Sequence, residues 1–350
     1  MTILNDEPAI ISMANELNLD ASQPADAIKA YCREKVQRYV RRVARLTNIE
    51  ALQQVVCKKL NLIVHEIWED DDIARLAKEY KDAGEFVVAG LVATQMKPNT
   101  FGMLTSLEAR TKNDRTRFVT FIDCRGDKEA RRVWTIWHEI AHCLTAKEQM
   151  ALPLRRTTTV ETIEKDPVER LTDAIAADFA FYPPLFQPVL DAEYKLTRRL
   201  SFRVVERVRS RFNPDASFDS TLRACVNKTP VPLILLEAAL TLKKDEQRLV
   251  DAGAAARSDF VPSLRVLRSL PNELGKVHLP HIPKQWRVPQ QSVIARVHAD
   301  DASTILDGSL AEENMNLWTT STGSRLPDCA VHVEARKIGG RVIVILELAA

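Results

Sequence analysis

The chain has 350 residues, 45% hydrophobic and 27% charged, ordinary values for a folded protein that exclude disordered, collagen-like and disulfide-scaffold classes. Forty-nine Lys and Arg against 47 Asp and Glu leave a net charge of +2, with no long-range electrostatic reason to expect binding to nucleic acid or an anionic membrane. Six widely spaced cysteines without a C-x-x-C pair fit a reducing, cytoplasmic setting. Asp6 and Glu7 stand where a signal peptide needs positive charge. The most apolar stretch, VPLILLEAAL, is interrupted by Glu237, so it falls short of a membrane span and reads as a core segment.

Residues 1 to 21 read as a mixed leader, after which Ser22, Pro24 and Asp26 resemble the capped start of a helix. Ile28, Cys32, Val36, Tyr39, Val40, Val43 and Leu46 then give one apolar stripe at helical spacing. The same helix carries Arg33, Lys35, Arg38, Arg41, Arg42 and Arg45, opposed only by Glu34. Such a run can contact DNA or an acidic partner, but a solvated helix face is its more common explanation. A second helix near 49 to 60 leads into a strand over Leu62–Ile67. From 85 to 123 short strands are expected, including Glu85–Val88 and Phe118–Ile122.

Gly126 and Asp127 supply a turn and a cap before a helix at about 128 to 146, where Val133, Trp134, Ile136, Trp137, Ile140, Ala141 and Leu144 form a broad apolar surface. A polar stretch over 147–165 precedes another helix, opened by Asp166 and Pro167 and halted by Pro183 and Pro184. Residues 190 to 250 read as helix-rich and AGAAARSDFVP, 252–262, as a linker. Beyond it Ser292–His298 and Ala330–Arg336 alternate with period two, and Gly339 and Gly340 join the latter to Arg341–Leu348 as a hairpin. The expectation is an α+β protein: a helix-rich body with a small sheet over 1–251, and a smaller strand-containing module over 263–350.

The chemical signal is His138-Glu139-Ile140-Ala141-His142, an H-E-x-x-H sequence inside a strongly periodic helix. Positions i and i+4 share a helix face, so both imidazoles can reach one metal ion, and Glu139 projects beside them. A catalytic zinc site needs a third protein ligand and an open position for water. The next helix offers Glu169, with Asp173 four residues on, placed to orient a ligand histidine through its other ring nitrogen. Glu164 or Asp173 can instead supply the ligand, and Asp166 with Glu169 also matches a capping box. Ala174, Ala176, Ala177 and Ala180 would let the two helices approach closely. His278, His281, His298 and His332 show no ligand spacing.

Phe118 to Pro184 resembles the core of the ImmA/IrrE-type zinc metallopeptidases, whose pattern is a strand, an acidic turn, H-E-L-G-H on a helix, then E-x-x-A-N-x-F-A-A and a hydrophobic run ending in proline. The matching segments are FVTFID, WTIWHEIAHCL and Glu169 to Ala177. The resemblance implies a zincin-like body, zinc on His138, His142 and Glu169, Glu139 as general base, and Asp173 at the family's Asn or Asp position. Ala141 and Trp137 replace smaller residues, which implies a differently shaped pocket. Zinc so held would lower the pKa of its water toward about 7, and Glu139 would pass the proton to the leaving amine. Tyr182 and His65 are nominees for an oxyanion donor. The strand Phe118–Ile122 is a candidate edge for an extended substrate.

The family likeness further implies a regulatory endopeptidase whose protein substrate is a helix-turn-helix transcriptional repressor, in a stress-response or mobile-element switch. The competing reading is a non-proteolytic regulator in which zinc is structural and the basic first helix contacts DNA or a partner.

Overall fold

The expected leader folds. Residues Thr2–Asn5 (α1) and Pro8–Glu16 (α2) are helical, and Asn5 ties them down by accepting the backbone N–H of Ala25 at 2.9 Å, at the start of Pro24–Val40 (α3). The computed structural model describes residues 2–41, 43, 46–107, 117–146, 155–157, 166–300, 309–320 and 323–349. Arg42, Arg45 and Glu164 lie outside them. The fold is α+β, in two compact units: 1–186 with 212–217, and 187–211 with 218–350.

In the first unit, Ile49–Leu60 (α4) is capped by the Asn48 side chain and ends at Asn61, whose φ of 53° lies in the left-handed region that asparagine tolerates. The chain enters strand Leu62–Ile67 (β1), then helices Asp70–Asp82 (α5) and Phe86–Gln95 (α6). Glu85–Val88 was expected as a strand. It is helical because an apolar run without clear periodicity fits either element, and here Gly84, at φ +82°, turns the chain straight from α5 into α6. Strands Gly102–Leu107 (β2) and Arg117–Asp123 (β3) follow, then helix Arg132–Thr145 (α7), strand Arg155–Thr157 (β4) and helix Pro167–Ala180 (α8).

The sheet order is β1-β3-β2-β4, with β1 and β3 parallel and β2 antiparallel to both its neighbours. Period-two alternation divides its faces. Ile63, Ile67, Met103, Leu107, Val119 and Phe121 pack with α5 and α6. On the opposite face Gly102 and Ile122 meet α7. Because β3 is flanked on both sides, it offers no edge, and the expected substrate-binding edge at Phe118–Ile122 is corrected. Trapping a strand between two others satisfies both rows of its backbone groups.

The second unit takes most of Pro183–Thr197 (α9) and Phe202–Phe212 (α10). Pro183 opens a new helix where it was expected only to stop the old one, as suits a residue whose missing N–H costs nothing in a first turn. Glu193, 3% exposed, is clasped by Arg207 and Arg211, each at 2.5 Å. After Phe218–Lys228 (α11), the run LILLEAALT forms Leu233–Thr241 (β5). Helices Lys244–Asp251 (α12), Glu273–His278 (α13) and Val293–Ala299 (α14) accompany strands Ser263–Pro271 (β6), Ser309–Asn314 (β7), Ala330–Ile338 (β8) and Arg341–Leu348 (β9). The antiparallel order is β6-β5-β9-β8-β7.

Two expectations change here. The chain does not divide at 252–262, because β5, from before that segment, lies between β6 and β9, from after it. The expected linker connects parts of one sheet. Ser292–His298 is helical rather than extended: the Ser292 hydroxyl accepts the Ile294 N–H and caps α14. The hairpin at Gly339 stands as expected, with φ +59° at its turn.

Candidate metal centre

Helix α7 crosses the sheet face left open by Gly102. A Cβ built on Gly102 would lie 2.7 Å from Thr135 Cγ2 and 2.9 Å from Glu139 Oε1, so only glycine lets β2 approach the helix at this level. The far end of α7 is held by Lys35 of α3, whose ammonium donates to the Leu144 carbonyl at 3.1 Å and offsets the negative end of the helix dipole. Arg33 of α3 is paired with Asp178. Part of the basic run thus fastens the first unit together.

Helix α8 lies alongside α7. Its Asp166 cap accepts the Val168 N–H at 2.8 Å, and Ala176 and Ala180 are buried. Trp137, expected to reshape the pocket, stacks on Phe179 with centroids 6.2 Å apart; it serves the packing of the two helices. Glu169, in the first turn of α8, was open to a capping-box role. Its carboxylate instead goes to the histidines of α7.

Three donor atoms converge. His138 Nε2 lies 3.0 Å from Glu169 Oε2 and 3.2 Å from His142 Nε2, and His142 Nε2 lies 3.5 Å from Glu169 Oε2. Ligands of a tetrahedral zinc with bonds of about 2.0–2.1 Å stand about 3.3 Å apart, and these three edges bracket that value. His138 donates its other nitrogen, Nδ1, to Asp173 Oδ1 at 2.9 Å, which leaves the Nε2 lone pair facing the other two donors. Lone pairs this close repel unless a cation or protons sit among them. The group of His138, His142 and Glu169 can therefore hold a metal ion, and it is the only such group among the described residues.

The electrostatics carry the same sign. Burial pulls the His138 pKa down, but the carboxylates of Asp173, Glu169 and Glu139 outweigh it and push the ring up to about 10. Burial raises the Glu169 pKa, yet the two imidazoles hold it well below the ordinary carboxylate range. Both shifts express a pocket built to balance positive charge. His138 and Glu139 are buried, while Glu169 and Asp173 are partly open to solvent.

Of the sequence candidates, His138, His142 and Glu169 come together, Glu139 stands beside Gly102, and Asp173 falls behind His138 rather than among the three donors. His65 is on the wrong face of the sheet: its ring stacks on Phe121 and its Nε2 meets the Tyr80 hydroxyl at 2.8 Å. Tyr182 lies past the far end of α8, about 20 Å along the helix direction from Glu169 at 1.5 Å per residue. Neither nominee fits an oxyanion donor at this cluster.

Two residues escaped the sequence reading. Gly102 carried a signal, since a lone glycine in a strand often marks close backbone approach. Arg131, which caps α7 seven residues before His138, places its guanidinium 4.1 Å from the centre of the Phe101 ring. No protein-family model matches the chain, and no curated protein does.

Proposed function

We propose that this chain is a zinc-dependent endopeptidase of the ImmA/IrrE type. The observation that carries the reading is the triangle of His138 Nε2, His142 Nε2 and Glu169 Oε2, with edges of 3.0 to 3.5 Å, beside a glutamate that immediately follows the first histidine. Two imidazoles and one carboxylate suit zinc, and three protein ligands leave a fourth position for substrate or water. Bound there, zinc supplies Lewis acidity that activates water and polarises a carbonyl.

The chain's own groups divide the remaining work. Asp173 fixes the tautomer of His138 by accepting its Nδ1 proton. Glu139, pressed between α7 and the Gly102 backbone, is the group to take a proton from the attacking water and hand it to the departing amine. Ile136, Ile140 and Leu144, buried on the side of α7 away from the histidines, hold the helix in the core and so fix the direction in which the donors point. The substrate class we favour is a protein, specifically a helix-turn-helix transcriptional repressor, in keeping with the family likeness of Phe118 to Pro184.

Metal analysis of the purified chain, combined with incubation against repressors encoded beside its gene, tests this. About one zinc per chain is expected, lost in His142→Ala. Cleavage should vanish in Glu139→Gln while zinc stays. A wild-type protein without zinc, or unchanged cleavage by Glu139→Gln, would overturn the reading. Zinc retention with no hydrolysis of any repressor, and biological activity surviving Glu139→Gln, would favour a structural metal.

A further inference from the structure

The arginine at the N-terminal boundary of α7 has no use in the metal chemistry. Arg131 accepts the Thr135 hydroxyl through its backbone carbonyl at 3.0 Å, while its half-buried guanidinium lies over Phe101 and makes no ion pair or hydrogen bond among the described residues. Neighbouring cations are treated differently. Arg125 and Lys128 share Asp123, and Arg132 is paired with Glu66 and Asp215. A guanidinium withdrawn from water without a counter-anion is costly, and its five N–H donors are left to be filled by something else.

The position is the second observation. Arg131 precedes His138 by seven residues and His142 by eleven, which at 100° per residue puts all three within about 40° of one helix face. Phe101, under the guanidinium, adjoins Gly102, which abuts the Glu139 carboxylate. The charge of Asp173, the partner of His138, reaches Arg131 and partly offsets the effect of its burial. The backbone of Arg131 therefore lies on the side of α7 that carries the metal cluster, about 10 Å along the helix from His138, with its guanidinium over Phe101. An extended peptide covers that distance in about three residues.

We propose that Arg131 is a specificity residue that binds a carboxylate of the substrate, about two to four residues from the bond that is cut. This rests on the peptidase reading and deepens it: the preferred substrate is a peptide with an acidic side chain, or its own C-terminal carboxylate, at that distance. The planar fork of arginine matches a carboxylate with two parallel hydrogen bonds, and the Phe101 ring holds the fork in place before substrate arrives.

The test uses the zinc-loaded full chain and short alanine peptides bearing a zinc-chelating hydroxamate at one end or the other. A single Glu, or Gln as its neutral counterpart, stands two, three or four residues from the hydroxamate, and the free terminus is carboxylate or amide. Wild type should bind the best Glu peptide, or the best free-acid peptide, about tenfold more tightly than its neutral twin, as expected for one charge-assisted contact. That preference should fade with added salt. Arg131→Met should lose the preference while binding the neutral peptides as wild type does, and Arg131→Lys should keep part of it. Zinc content and melting temperature verify that each variant is folded.

A preference for Glu and not for the free acid identifies an internal side chain as the source; the reverse identifies a chain end. Equal binding of charged and neutral twins by wild type, or equal weakening of both in a folded Arg131→Met, overturns the assignment of Arg131 alone. Zinc-loaded wild type that binds no hydroxamate peptide overturns the peptidase reading, and this inference with it.

Discussion

Asp173 Oδ1 accepts the Nδ1 proton of His138 across 2.9 Å, on the ring edge opposite the one that faces Glu169 and His142. The contact joins α8 to α7 and decides which imidazole nitrogen carries a lone pair toward the donor triangle. Partners of this kind set ligand orientation and basicity, and their loss typically lowers metal affinity about 10- to 100-fold. Asp173→Ala should fall in that range in a zinc competition titration against a chromogenic chelator. Asp173→Asn, which keeps an acceptor oxygen, should lose less. Unchanged affinity in both would mean that the neighbouring helix alone orients the ring.

Gly102 gives a prediction of another kind. A methyl group there must displace Thr135 Cγ2 or the Glu139 carboxylate. The β-branched threonine is the stiffer of the two within a helix, so Glu139 should move. Gly102→Ala is expected to keep its zinc and lose about 100-fold in kcat, the scale of an ångström-sized misplacement, with KM little altered. Adding Thr135→Ser removes the 2.7 Å contact and should restore part of the rate. Loss of zinc from Gly102→Ala would show that the glycine serves the ligands and not the base.

The part of the centre carried on two helices was legible because helical periodicity alone aligns His138 with His142 and Glu169 with Asp173. What periodicity could not supply was the partner across the sheet. Gly102 and Phe101 reach α7 only through the β1-β3-β2-β4 order, which no local pattern states. The same limit governed the fold. The apolar run over Phe86–Gln95 fits a strand or a helix, and Gly84 decides; the segment 252–262 has the composition of a linker, yet the pairing of β5 with β6 spans it. His65 was misplaced for the same reason: its face of the sheet follows from strand register.

Asp123 makes the end of β3 sensitive to acid. Its carboxylate is fully buried and accepts Arg125 Nε at 2.8 Å, Arg125 Nη2 at 2.7 Å and Lys128 Nζ at 2.5 Å. Burial alone would raise its pKa, but these cations outweigh it and leave the value depressed. A depressed folded-state pKa contributes stability above the ordinary aspartate value, near 4, and loses it as pH falls through the folded value. Asp123→Ala should cost about 2–3 kcal/mol at pH 7, below the about 3–5 of a fully buried pair, because Arg125 retains some solvent. Urea midpoints of wild type and variant should converge as pH falls from 6 toward 3. A gap that is constant over that range would assign the loss to packing instead of charge.

The position of β5 predicts the outcome of truncation. Leu233, Ile234, Leu236 and Ala238 are buried, and the strand pairs with β6 on one side and β9 on the other. A chain ending at residue 262 lacks both partners and leaves a nine-residue apolar strand with two unpaired edges, the arrangement most prone to intermolecular pairing. Such a protein should be recovered in aggregates. A truncated chain that stays monomeric in analytical ultracentrifugation, with native-like circular dichroism, would return the division of the molecule to 252–262. A full-length Gly275→Ala variant probes the same sheet from within. Its Cβ would sit 2.2 Å from the Leu233 carbonyl oxygen, a backbone atom that cannot simply swing aside. Displacing that carbonyl also strains the Asn272 side chain, which accepts the N–H groups of Leu233 at 3.1 Å and Gly275 at 2.7 Å. The expected result is a loss of about 1–3 kcal/mol in a urea titration, the usual cost of overpacking.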